Sequence, residues 1–470
     1  MSIISEKEAG LAKAKEVYGP EVELALREYL NMIGERYYTW LANLYLPRKC
    51  RCNNIDVDGN CVCLLKTDEN GKPLCFGGGF YYSNSARDNE EYQIDIESTV
   101  QAIRFIQGTG MLNQFNRDLK KAFPKQMQLD ICAFAKSLQS SDDGYFYHPQ
   151  WGKNIIPSRL GRDLGWATSI LKDLGDAPLY DTKNGHRGTL GAPNGIISED
   201  SDNVNSNSTW VEHLRTLDSF KSYLESFDLK DKSYSCGNQI NAQVGQIKAR
   251  NATAIESGEC TDQNGYISTL RDIFNAQQNP KNGLWADDIH YNAVNGLMKI
   301  STSYNSLGLK LNYADKAFDS AIEIALIPPD TPDSHDKKST GSVDVYNPWV
   351  SIGAIFDNVK EFGTENELSA LKSKLKSKAT ELVCMTMQKA KKFQKSDGSF
   401  GYTWSYSPEK SQMAPVAVPN TVEGDVNGGC IATNGIWRTM CSALDLYIPF
   451  FDDTDYEKFI SKIKADCGYK

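Results

Sequence analysis

Leu138-Gln139 followed by SSDDGYFYHPQWG (140–152), Ala276-Gln277 followed by QNPKNGLWADDIHY (278–291), and Phe393-Gln394 followed by KSDGSFGYTW (395–404) share one shape. Each runs apolar residue, Gln, a few polar residues, Asp or Asn near Gly, then aromatics. Gln ends a helix, Gly supplies the positive φ of a turn, and the aromatics cover the opening of the next helix. KTDENGKPLCFGGGFYYSNS (66–85) is a looser copy that lacks the Gln.

The segments after these loops repeat as well. Ala293-Val294-Asn295-Gly296-Leu297-Met298-Lys299 parallels Ala432-Thr433-Asn434-Gly435-Ile436-Trp437-Arg438, with a weaker third copy from Thr99 to Phe105. A cation four residues after the Asn shares its helix face. Glycine inside a helix costs about 1 kcal/mol against Ala, so it marks either close packing or the approach of a ligand. Between these units, QMQLDICAFAKSLQ (126–139), FDSAIEIALI (318–327) and ELSALKSKLKSKATELVCMTMQKA (367–390) carry apolar residues at three- and four-residue steps.

Helix, loop, helix therefore recurs, which predicts an all-α chain of repeated helical hairpins closed into an α/α toroid, one domain over 1–470. Two irregular stretches, about 180–262 and 328–348, read as loop insertions, and about 48–82 as a small β-hairpin excursion with turns at DVDGN (56–60) and DENGK (68–72). If every outer helix leads through its loop into an inner helix, all the loops emerge at one end and ring one cleft.

Composition narrows the partners. A formal charge of -9 and a pI near 5.3 repel nucleic acid and anionic membranes. The basic runs KSKLKSK (372–378) and KAKK (389–392) read as solvated helix faces. No apolar run approaches the roughly 18 residues of a membrane span, and the opening MSIISEKEAGLAKAKE has no basic stretch followed by an apolar one. The expectation is a soluble chain, cytoplasmic by default and exported if a leader has been removed. Five of the twelve cysteines, Cys50, Cys52, Cys61, Cys63 and Cys75, fall in the hairpin excursion, where they suit a structural zinc, disulfides or free thiols. No other cofactor is implied.

With these motifs in hand, the chain resembles the α/α-toroid superfamily, whose terpene-cyclase and prenyltransferase members carry a related Gln, Asp-Gly, aromatic repeat. The match covers about 139–152, 276–300 and 393–440. The cyclases' D-x-D-D acid has no counterpart, since DVDG (56–59) and ADDI (286–289) both depart from it; Asp425 and Cys430 stand close as in the prenyltransferase zinc site, but no His follows. The same superfamily also carries polysaccharide lyases and glycoside hydrolases. Loops that mix Asn, Asp, Arg and His with Tyr and Trp suit sugars, which stack on aromatics and hydrogen-bond through hydroxyls.

The expected activity is therefore a polysaccharide lyase acting on a uronic-acid glycan by β-elimination, which needs a group to neutralise the carboxylate, a base and an acid. Tyr291, His290, His148, Arg162 and Tyr304 are the candidate catalytic residues, a set similar to the Asn, His and Tyr of toroidal lyases. Asn84, Arg87, Glu97, Tyr147, Trp151, Trp285, Asp288, Asn292, Asn295, Lys299, Trp404, Asn434 and Arg438 are the candidate substrate contacts. The alternatives are a glycoside hydrolase with carboxylates roughly 5–10 Å apart, drawn from Asp143, Asp287, Asp288, Glu97 and Asp397, or a glycan-binding protein without catalysis.

Overall fold

The computed structural model describes residues 3–50, 75–194, 210–329 and 341–469. It is mostly helical, 61% helix and 4% strand. Within these residues the helices Ile96–Gly108, Pro157–Asp173, Leu229–Glu256, Tyr291–Leu307, Val343–Phe362 and the helical run 426–443 contact one another in sequence order, and the last returns to the first.

All six run in the same direction. Near their starts, Arg159 meets Asp95 and Asn295 meets Asp344. Further along, Asn241 meets Thr302 and Ser303, and Asn305 meets Ala354 and Asn358. Other helices lie in a second layer, where Glu365–Lys391 contacts both Pro20–Met32 and Ala314–Leu326.

The repeated glutamine ties each loop to another part of the chain. Gln139 Nε2 donates to Gly144 O (3.1 Å) and Tyr180 O (2.9 Å), and its Oε1 accepts from Leu179 N (2.7 Å) and Tyr180 N (3.0 Å). Gln278 Nε2 donates to Gly283 O (2.8 Å) and Asn312 O (2.9 Å), and Gln394 Nε2 to Met32 O (2.9 Å). Each ties its own chain to a more distant segment. The equivalent residue in the middle repeat is thus Gln278 rather than Gln277, which is exposed. Gln139→Ala removes four hydrogen bonds at a buried position and is expected to cost about 2–4 kcal/mol, measurable by urea unfolding.

The 180–262 stretch corrects the sequence reading: Leu217–Glu225 and the 28-residue helix Leu229–Glu256 occupy much of it. The buried face of that second helix carries Ser233, Gln243, Gln246, Arg250 and Asn251 among its apolar residues, so hydrophobic periodicity does not reveal it. Similarly, the second insertion is shorter than expected, because a helix begins at Val343 and continues through Pro348.

At the β excursion, Tyr45–Leu46 pairs antiparallel with Gly79–Phe80, and Lys49–Cys50 with Cys75–Phe76. Both expected turns, with Cys52, Cys61 and Cys63, lie outside the described residues. Among the described residues no helix is long and apolar enough to cross a membrane, and no group of His, Cys, Asp and Glu is arranged to hold a metal ion.

Gly296 resolves one of the paired readings in favour of packing. A Cβ there would lie 2.4 Å from Ser233 Oγ, because Leu229–Glu256 crosses closely at this point. Its counterpart Gly435 faces the Tyr346 ring, and around it the chain is π-helical over Ile431–Trp437. Such local widening recurs at functional positions.

Candidate functional site

Where the six helices begin, the interior of the cycle holds a cluster of charge. Arg159 is 0% exposed and forms ion pairs with Asp95 (2.9 Å), Glu97 (2.8 Å) and Asp163 (2.9 Å). Asp95 also caps the Ile96–Gly108 helix by accepting from Ser98 N, so this carboxylate is fixed by backbone as well as by charge. Burial pushes the Asp163 carboxyl up to about 7 despite Arg159. Arg162, one turn along from Asp95's partner, pairs with the other oxygen of Glu97. It lies 5.0 Å over the Trp166 ring, which Arg104 approaches at 5.4 Å.

Lys299 faces the same charges. Burial first, then Arg162, pushes its ammonium down to about 7, while Glu97 opposes the shift. No hydrogen-bond partner engages Lys299 Nζ among the described residues. Around the same Arg162 stand tyrosines with the opposite displacement: burial raises Tyr234 and holds Tyr402 well above the ordinary phenol value. Both also feel Arg162 and Asp344. Asp344 accepts from Asn295 Nδ2 (3.0 Å) and from Gly341 N (3.2 Å). One turn on, Asn347 is 0% exposed with both amide atoms unpaired among the described residues.

A two-residue hairpin reaches over this interior. Lys410–Ser411 pairs with Ala414–Pro415, and its tip residue Gln412 accepts at Oε1 from Ser158 Oγ and Asn238 Nδ2, both at 3.1 Å. Gln412 and Met413 have φ of 48° and 71°, a turn that favours Asn and Gly. The exposed Met413 makes this strain testable: Met413→Gly is expected to stabilise the protein by about 1 kcal/mol in thermal unfolding, net of glycine's added chain entropy.

The expected site residues are distributed rather than gathered. Glu97, Arg162, Asn295 and Lys299 line the interior. His148 is buried beside it with both ring nitrogens engaged, Nε2 with Ile94 O (2.8 Å) and Nδ1 accepting from Gln150 N (3.1 Å). Burial lowers its pKa to about 4, so it stays neutral near pH 7. Its ring stacks on Trp151, which in turn meets Arg159, making His148 a support for the charge cluster.

His290 caps the Tyr291–Leu307 helix by accepting from Ala293 N (3.3 Å). Tyr291 packs outward, with Lys389 5.5 Å from its ring. Tyr304 donates to Asn275 Oδ1 (3.0 Å) and Trp285 Nε1 to Phe274 O (2.8 Å), both structural bonds towards the Tyr266–Gln277 helix. Asp288 and Asn292 are exposed, and Asp287 pairs with Lys230.

Tyr147 donates to Asp143 Oδ2 (2.9 Å), and Trp404 packs between Lys392 and Phe393. At the rim, Asn84 opens the short helix that ends at Arg87, which pairs with Asp88. Asn434 abuts Gly108, and Arg438 lies beyond it at the other end of the cycle.

Tyr234 and Asp344 escape the sequence reading because they sit in stretches that read as insertions. Tyr402 stands within the third repeat, where it reads as one more aromatic covering a helix opening. Tyr234 lies in the second turn of Leu229–Glu256 and Tyr402 in the loop that precedes Val426, so only their shared proximity to Arg162 in the folded chain picks them out. Comparison with protein-family models, curated proteins and solved structures finds no match to this chain.

Proposed function

We propose that the chain is an α/α toroid and a polysaccharide lyase that cleaves a uronic-acid-containing glycan by β-elimination. The closed cycle of parallel helices supports the toroid. The observation that carries the activity is the interior lining of an acidic protein: the charge of Arg162 acts on Lys299, Tyr234 and Tyr402 alike, and burial displaces the lysine downward and the two tyrosines upward.

In this reading Arg162 receives the uronate carboxylate and stabilises the charge that develops as the α-proton leaves. Lys299, partly neutral near pH 7, takes that proton on Nζ. Tyr402 or its neighbour Tyr234, held protonated, supplies a proton to the departing glycosidic oxygen. The C–O bond breaks as the C=C bond forms, so no water is consumed. The same cations disfavour the terpene reading, whose carbocations they would repel.

Incubation with uronic-acid polymers is expected to generate the ultraviolet absorbance of the unsaturated product. Tyr402→Phe should lower its rate by about 10²-fold or more while circular dichroism stays unchanged. Substrate consumption that yields reducing ends without absorbance would sink the lyase reading in favour of hydrolysis.

A further inference from the structure

At the far end of the helix cycle lies a second cavity, of about 1650 Å³, that the proposed chemistry does not use. Its wall carries six cations, Lys13, Arg117, Lys360, Lys372, Lys376 and Arg438, against four carboxylates, Glu6, Asp357, Glu365 and Asp445, a local net of +2 in a chain of -9. Among the described residues, neither Arg117 nor Arg438 has a carboxylate within ion-pair distance. Lys13 donates to the backbone carbonyl of Asp445 (2.5 Å).

The two arginines have a third behind them. Arg104 is one helical turn before Gly108, which lines the cavity and lies so close to Asn434 that a Cβ would meet it at 2.8 Å. Arg438 follows Asn434 along the same run, bringing Arg104 and Arg438 to neighbouring faces. Desolvation against the cavity wall lowers the Arg438 pKa first and the charge of Arg117 next; Tyr346 and Cys430 oppose, and Arg104 adds to the lowering. Guanidinium groups crowded without a counter-charge are unfavourable unless an anion arrives, and their planar donors match the oxygens of carboxylate, sulfate and phosphate.

We infer that this cavity is an oxyanion-binding site in which Arg438 and Arg117 hold the anionic group of a ligand and Arg104 reinforces the field from within the ring. The anionic group can belong to a free ion or to an acidic sugar, because the chemistry recognised is the same. The site does not depend on the lyase reading.

Calorimetric titration of the full chain with inorganic phosphate, and in a second arm with an oligouronate, tests it. Saturable binding is expected in at least one arm, weakened at least tenfold in Arg438→Ala and in Arg117→Ala and partly kept in Arg438→Lys. Response to phosphate assigns a small anion; response to oligouronate alone assigns a sugar carboxylate. Wild-type affinity in both alanine variants, or no saturable binding in either arm, overturns the inference. Arg438 is exposed, so its substitution leaves the fold intact and the comparison interpretable.

Discussion

Arg159→Ala is expected to lose about 3–5 kcal/mol of folding stability, a large part of the margin that keeps a domain folded. The loss comes less from the missing attraction than from what remains: Asp95, Glu97 and Asp163 buried without their common partner. Lysine cannot restore it, because one ammonium cannot face three carboxylates as a planar guanidinium does. The pH dependence has a definite sign. Asp163 holds its proton up to about 7 in the folded protein against 3.8 ordinarily, so its contribution to stability is present below 3.8 and is lost as pH rises towards 7. With Arg159 gone that penalty should grow, and denaturant unfolding should show the variant's deficit widening from pH 5 to pH 8. A deficit that does not change with pH would mean that the carboxylates are not what destabilises it.

Lys299→Met should do the reverse, abolishing activity while strengthening the fold. As the proposed base, Lys299 is needed for proton transfer, and its loss should lower kcat/KM by about 10²–10⁴-fold. Its folded pKa near 7 lies below the ordinary 10.5, so the folded state binds fewer protons than the unfolded chain between those values, and at neutral pH burial of this amine opposes folding. Methionine removes the opposition, and Tm should rise. In the wild type, kcat/KM should climb with pH through about 7 as the amine becomes neutral. The raised tyrosines should delay any decline to far higher pH. A variant that loses both activity and Tm would reassign Lys299 to structure, and a flat profile between pH 6 and 8 would remove it as the base.

The Gln, Asp-Gly, aromatic repeat is legible because turn chemistry leaves a local signature: a glycine of positive φ at Gly144, Gly283 and Gly398, and a glutamine that closes the first two loops and, at Gln394, reaches Met32. The interior is less so. A helix facing a polar cavity has no apolar stripe, so Leu229–Glu256 and its Tyr234 look like a loop in the sequence. Position on the shared loop face is also a poor guide to orientation. His290, Tyr291 and Tyr304 lie on the right helix, yet one caps it and two point towards the outer layer, while Lys299 points inward. Four-residue spacing fixes neighbours along a helix but not which side meets the cavity. Charge pairing across helices, such as Arg159 with Asp95, depends on tertiary contact that no local pattern carries.

The return of the last helical run to the first helices has a consequence for biosynthesis. Tyr29 donates to Ala432 O, Tyr18 to Leu444 O and Lys7 to Phe450 O, pairs separated by 403, 426 and 443 residues. At roughly 5–20 residues per second, the ribosome takes about 20–90 seconds to deliver those partners. Throughout that interval the apolar faces of Pro20–Met32 lack their final cover. The chain is therefore expected to depend on holding chaperones during translation, and its yield should respond to their supply and to elongation rate more than to small changes in the stability of the finished fold.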